Sequence, residues 1–206
     1  MRAGIALIAL ALAACGQPAP SNVEPNEAAS AEGLTISCAN FNNLTPEALV
    51  ERFGAENVSM QTLPGAEGES YEATVVFAND PTRRLEIVWN EGRTAAASVS
   101  VETAGTRWKT DDGLTIGTPI AAVERVNVMP FKLWGFGWDY GGWVSDWHVG
   151  ALSQRAVPGC RLRIRFSART DPGVGAMGDS EFTSNDPAIR AADPAVNEFG
   201  VMYGAE

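Results

Sequence analysis

The chain has 206 residues, 45% of them hydrophobic, with 25 acidic residues against 15 basic ones, one histidine and three cysteines. That length holds one domain or two small repeats. The net charge of −10 argues against nucleic acid and anionic lipid headgroups as partners, and one histidine without a close cysteine pair argues against a metal site or cofactor.

Met1 and Arg2 precede an apolar run, Ala3 to Ala14, broken only by Gly4. This is a positive start followed by a short apolar core, and it falls short of the roughly 20 residues that a membrane span needs. It ends Leu12-Ala13-Ala14-Cys15. That ending resembles the lipobox of bacterial lipoproteins. The resemblance implies that residues 1–14 are a signal peptide and that the mature chain starts at Cys15, acylated on its sulfur and usually on its amino group. One acyl chain binds a membrane only reversibly, whereas two or three make a stable anchor. Gly16, where an Asp would favour the inner membrane, points to the outer membrane, facing the periplasm. Residues 15–33 then read as a lipidated tether, because their Pro, Ala, Ser, Asn and Glu content buries too little apolar surface to offset ordering entropy.

With Cys15 acylated, Cys38 and Cys160 remain; an exported protein with two thiols usually joins them, the alternative being two free buried cysteines. Cys38 closes an expected strand from Leu34, and Cys160 opens another.

Residues 34–168 read as one α+β domain made of two repeats, 34–103 and 104–168. The segment Thr45-Pro46-Glu47-Ala48-Leu49-Val50-Glu51-Arg52 resembles Thr118-Pro119-Ile120-Ala121-Ala122-Val123-Glu124-Arg125 at an offset of 73 residues, and Arg84 to Trp89 parallels Arg161 to Phe166 at an offset of 77. In each unit a threonine N-cap and a proline at the first position start a short helix, with Gly54 or Asn127 as its left-handed cap. Leu49, Val50 and Phe53 form the expected buried stripe. Strands follow over Tyr71 to Ala78, Arg84 to Trp89 and Thr94 to Val101. The plan is a tandem repeat of a short helix followed by an antiparallel β meander. In architecture and helix-start pattern it is similar to the SmpA/BamE lipoproteins and the tandem β-lactamase-inhibitor proteins, without any functional residue to carry over.

Residues 131–149, FKLWGFGWDYGGWVSDWHV, predict an aromatic hairpin turning at Gly141-Gly142. Tyr140 would then face Trp143, and Trp134, Phe136, Trp138, Tyr140, Trp143 and Trp147 would share one face. Two readings stand open. The aromatic face is core, covered by the Ile120–Val126 helix, or it is a surface that stacks on a partner. Trp138, Asp139, Tyr140, Trp143, Asp146 and His148 are the candidate binding residues. Gly173 to Gly178 fits a dinucleotide pattern but opens no helix, and residues 169–206 read as a largely irregular segment whose last few residues pack back.

These features favour a non-catalytic lipid-anchored protein that binds another envelope component, either a protein or a glycan. An enzyme acting on envelope glycan through Asp139 and Asp146 and a scaffold without ligand are the alternatives. If the lipobox is used, Cys15→Ser abolishes labelling by a palmitate analogue and releases the protein from membranes; unchanged labelling would refute it.

Overall fold

The computed structural model describes residues 34–155 and 157–204. The expected signal peptide, Cys15 and the expected tether lie outside the described residues. The fold is α+β. Three short helices accompany a six-stranded antiparallel sheet, a three-stranded sheet and a two-stranded parallel pair.

In chain order, β1 (Thr35–Ile36) leads to α1 (Pro46–Phe53). Thr45 caps α1 by accepting a hydrogen bond from the Ala48 amide at 3.2 Å, and Pro46 fills a position that needs no donor. Leu49 is fully buried and Phe53 half-buried, but Val50 is exposed. Residues four apart share a helix face and adjacent ones do not, so the expected stripe narrows to Leu49 and Phe53. Next come β2 (Val58–Pro64), which the sequence reading omitted, β3 (Ser70–Val76), β4 (Leu85–Trp89) and β5 (Ala96–Val101), forming an antiparallel meander.

A short β6 (Lys109–Thr110) then pairs in parallel with β1, and α2 (Ile120–Asn127) follows. Its N-cap is Pro119, not Thr118, whose hydroxyl instead accepts from the Thr115 amide. The left-handed cap is Val128, one residue beyond the expected Asn127. Asn127 is fully buried, donates to the Met129 and Trp147 carbonyls, and accepts from the Leu152 amide. A side chain that reads as a cap in the sequence thus ties α2 to the chain beyond Trp147.

β7 (Lys132–Trp134) and β8 (Val144–Asp146) pair antiparallel, with Leu133 opposite Val144 and Lys132 opposite Asp146. This corrects the predicted two-residue hairpin. Residues 135–143 form a loop, and only Gly142 of the Gly-Gly pair has positive φ, at +80°. Its amide donates to the Trp134 carbonyl, its own carbonyl accepts from the Phe166 amide, and a Cβ would sit 1.9 Å from the Phe166 oxygen. Gly142 is therefore glycine for close backbone approach as well as for its φ.

β9 (Cys160–Ser167), β10 (Glu181–Thr183), α3 (Pro187–Ala191) and β11 (Ala195–Tyr203) complete the fold. The expectation that residues 169–206 are irregular, and that the domain closes at 168, is overturned. β11 lies between β5 and β9 in the sheet order β2-β3-β4-β5-β11-β9. Asp186 caps α3 as expected of an Asp-Pro start, whereas Asp193-Pro194 opens β11 and no helix. A register shift between Val196 and Glu198 breaks the period-two pattern of β11, which hid it in the sequence.

One face of the large sheet forms the core. Leu85, Ile87, Val99, Ile164, Phe166 and Phe199 join Leu49 of α1 and Ile120 and Val123 of α2 in a single buried cluster. Cys38 and Cys160 are disulfide-bonded, with Cα atoms 5.8 Å apart across a separation of 122 residues, and the Tyr203 hydroxyl donates to the Cys38 carbonyl. Closing so long a loop restricts the unfolded chain by roughly 5 kcal/mol on the chain-entropy model. Replacing both cysteines with serine is therefore expected to lower unfolding stability by about 2–5 kcal/mol. Urea titrations of parent and variant under non-reducing conditions check this, and coincident midpoints would contradict it.

Candidate functional site

The other face of the large sheet is open. Strand alternation sends Arg161, Arg163 and Arg165 of β9, Glu198 and Met202 of β11, and Ser98 and Ser100 of β5 to this side. With Tyr71, Val88 and Glu102 they floor a groove of about 910 Å³. Gly200 lies between Ser100 and Arg163 in register. A Cβ there would come within 2.1 Å of the Val99 carbonyl oxygen.

The end of β7 and the loop between β7 and β8 supply one wall, with Trp134 from the strand and Trp138, Asp139, Tyr140 and Trp143 from the loop. Trp134 and Trp138 meet edge to face at 6.1 Å, and Trp138 meets Tyr140 at 5.3 Å. The Trp138 indole donates to the Gly135 carbonyl within the same loop. Arg165 fastens the loop to the sheet through bonds of 2.9 Å to the Gly141 carbonyl and 2.7 Å to the Asp139 carbonyl. Trp143 lies across the arginine row. The Arg163 guanidinium is 4.0 Å from its ring centroid and that of Arg165 is 5.6 Å away.

Charge is segregated across the floor. The register that pairs Phe199 with Val101 sets Glu198 beside Glu102, and Glu86 pairs with Ser100. Burial, reinforced by Glu102, pushes the Glu198 carboxyl up to about 7, against the opposing pull of Arg163 and Arg165. Burial and Glu86 raise Glu102 as well. Burial lowers the Arg163 guanidinium from its ordinary value and lifts the Tyr71 hydroxyl to about 12. The carboxylates thus lie toward β4, β5 and β11, and the guanidiniums along β9.

Of the residues singled out in the sequence, Trp138, Asp139, Tyr140 and Trp143 line the groove, and Asp146 and His148 do not. Asp146 accepts from the His148 amide and faces its ring at 3.4 Å, with both residues exposed. The expectation of one common aromatic face is corrected. Phe136 is buried, and Phe131 stacks on Phe166 at 5.7 Å and against Trp147 at 5.0 Å in the core. Five of the six residues of the predicted face, Trp134, Trp138, Tyr140, Trp143 and Trp147, line the groove. The sequence reading missed the arginine row and the Glu102–Glu198 pair. The alternation R-L-R-I-R-F at 161–166 held the signal for the arginines. Among the described residues, no three His, Cys, Asp or Glu side chains form a metal-holding group.

No protein-family model, curated protein or solved structure matches this chain.

The raised carboxyl makes stability pH-dependent. The folded chain holds the Glu198 proton more tightly than the unfolded chain. Its contribution is therefore complete below the ordinary glutamate range and is lost as pH rises through about 7. Glu198→Gln removes that dependence, so the variant should gain stability over the parent at pH 8 relative to pH 5. Denaturant titrations at both pH values check this; a difference between variant and parent that does not change with pH would contradict it.

Proposed function

We propose that this is a non-catalytic, lipid-anchored envelope protein, held at the outer membrane facing the periplasm, that binds another envelope component in the groove on its open sheet face. The lipobox at Leu12–Cys15 supports the anchor, and the Cys38–Cys160 disulfide fits an oxidising compartment.

We further infer that the chain is a tandem duplication. The first strand of each half pairs with the other, as β1 with β6. Each half continues with a short helix, α1 or α2. The last strands, β5 and β11, pair antiparallel at the middle of the sheet. Outward from that seam run β4, β3 and β2 on one side. On the other runs β9, which an isolated bridge from Arg165 to Trp143, just before β8, links to the sheet of β8 and then β7. Beyond β1 and β6, four strands per half in mirrored order support one unit used twice, with β10 and α3 added to the second copy.

One observation carries the binding reading. The aromatics of the β7–β8 loop are held rigidly beside an open groove, with Tyr140 52% exposed at its rim. Large exposed aromatics next to arginine are the side chains that dominate binding interfaces. A wall tied down by Arg165 loses little freedom on binding.

A photocrosslinking residue in place of Tyr140 tests the reading in intact envelopes. It should give a discrete adduct that the same residue at Val128, exposed after α2 and outside the groove, does not. The same pattern from both positions, or no adduct from position 140, would favour a scaffold without ligand.

A further inference from the structure

The arginines of β9 define what the groove accepts. Arg165 is committed to the Gly141 and Asp139 carbonyls. Arg161, exposed, reaches the Met202 sulfur at 3.1 Å. Arg163 lies between them, half-buried and stacked on Trp143, and its guanidinium donates to no protein acceptor among the described residues. Gly200 opposite it offers no side chain. A guanidinium carries five donors in a planar fork that suits carboxylate. Arg163 is oriented by the ring of Trp143 and lines the open groove, so its donors are available to an acceptor from outside the chain.

We propose that the groove receives a segment of a partner protein carrying acidic side chains. Its carboxylates would meet Arg163 and Arg161, and an apolar side chain would lie against Trp143 and Tyr140. This proposal rests on the binding reading above and adds the partner's chemistry to it. Arg161 and Arg163 lie two residues apart on one strand face, about 7 Å along the strand. An extended segment with acidic residues at alternate positions matches that spacing. The groove lining contains Arg, Trp and Tyr, which are enriched at protein interfaces, and no Asn, Gln or His. The chain's net charge of −10 repels acidic segments in general, so the arginine row singles out this face.

The same geometry makes binding depend on protonation beneath the arginines. Glu198 faces Glu102 just after β5, Glu86 on β4, and Arg163 and Arg165 on β9. When Glu198 is protonated, the guanidiniums act with less compensation and the acidic segment is held more tightly.

The test uses the full chain and a fluorescent hexapeptide alternating aspartate and tyrosine, followed by anisotropy at pH 6 and pH 8. Saturable binding is expected, several-fold tighter at pH 6, where the peptide's aspartates stay ionised. Arg163→Met should weaken it at least about tenfold, as expected for loss of a charge-assisted bond. Glu198→Gln should bind at pH 8 nearly as tightly as the parent binds at pH 6. A peptide alternating lysine and tyrosine should not bind. Equal binding of both peptides, no saturable binding of the acidic one, or Arg163→Met and Glu198→Gln both without effect would overturn the proposal. So would displacement by inorganic phosphate where acetate has no effect, which would reassign the site to a phosphorylated ligand. A crosslinked partner at Tyr140 that survives Arg163→Met and is not displaced by the acidic peptide defeats the acidic chemistry alone, whereas absence of any adduct removes the binding reading as well.

Discussion

Within the large sheet, β9 reaches β5 only through β11. The hydrogen-bond ladders on both sides of that strand therefore hold the two ends of the sheet in register, and the groove depends on them. Phe199 and Val201 anchor β11 in the core. On its other face, Glu198, Gly200 and Met202 set the floor between the serines of β5 and the arginines of β9. Gly200 is fixed by contact on one side and by function on the other. Its missing side chain lets the Val99 backbone pass close, and it puts no side chain opposite Arg163 in the register.

The charges of the floor are arranged to remain unspent. Opposite charges share the groove, yet no guanidinium of the row forms an ion pair within 4.0 Å among the described residues. A half-buried pair would satisfy itself and leave nothing for a ligand. Here Arg165 is bound to loop carbonyls, and Arg163 is held by the face of Trp143. Stacking of this kind is worth roughly 0.5–2 kcal/mol, enough to orient a guanidinium without occupying its donors. The wall and the row support each other, since the loop that presents Trp143 is the loop that Arg165 fastens.

Much of the fold was legible because it rests on local signals. Thr45-Pro46 starts α1 by the capping chemistry its sequence announces, and the alternation in 84–89 and 161–166 marks real strands. Cysteine parity led to the disulfide. What failed was set by contacts distant in sequence. Gly141-Gly142 carries the composition of a tight turn, but Gly142 is required by the Phe166 carbonyl, which no local pattern encodes. β11 was hidden by a bulge and by Asn, Glu and Gly within it, and Glu198 was lost with it. The aromatic wall was found as a cluster of tryptophans. The arginine row is not legible in the same way, because which face of a sheet stays open is decided by where the helices pack.

Placing β11 between two strands that precede it in the chain also sets an order of events. β5 and β9 both precede their common neighbour, β5 by the longer stretch, and each must keep an unpaired edge until it arrives. Their pairings with β11 span long loops, and such contacts form slowly because loop closure must precede the stabilisation they bring. Exposed edges of this kind are templates for pairing with other chains. Until β11 docks, the edges of β5 and β9 that it will cover stay open to such pairing.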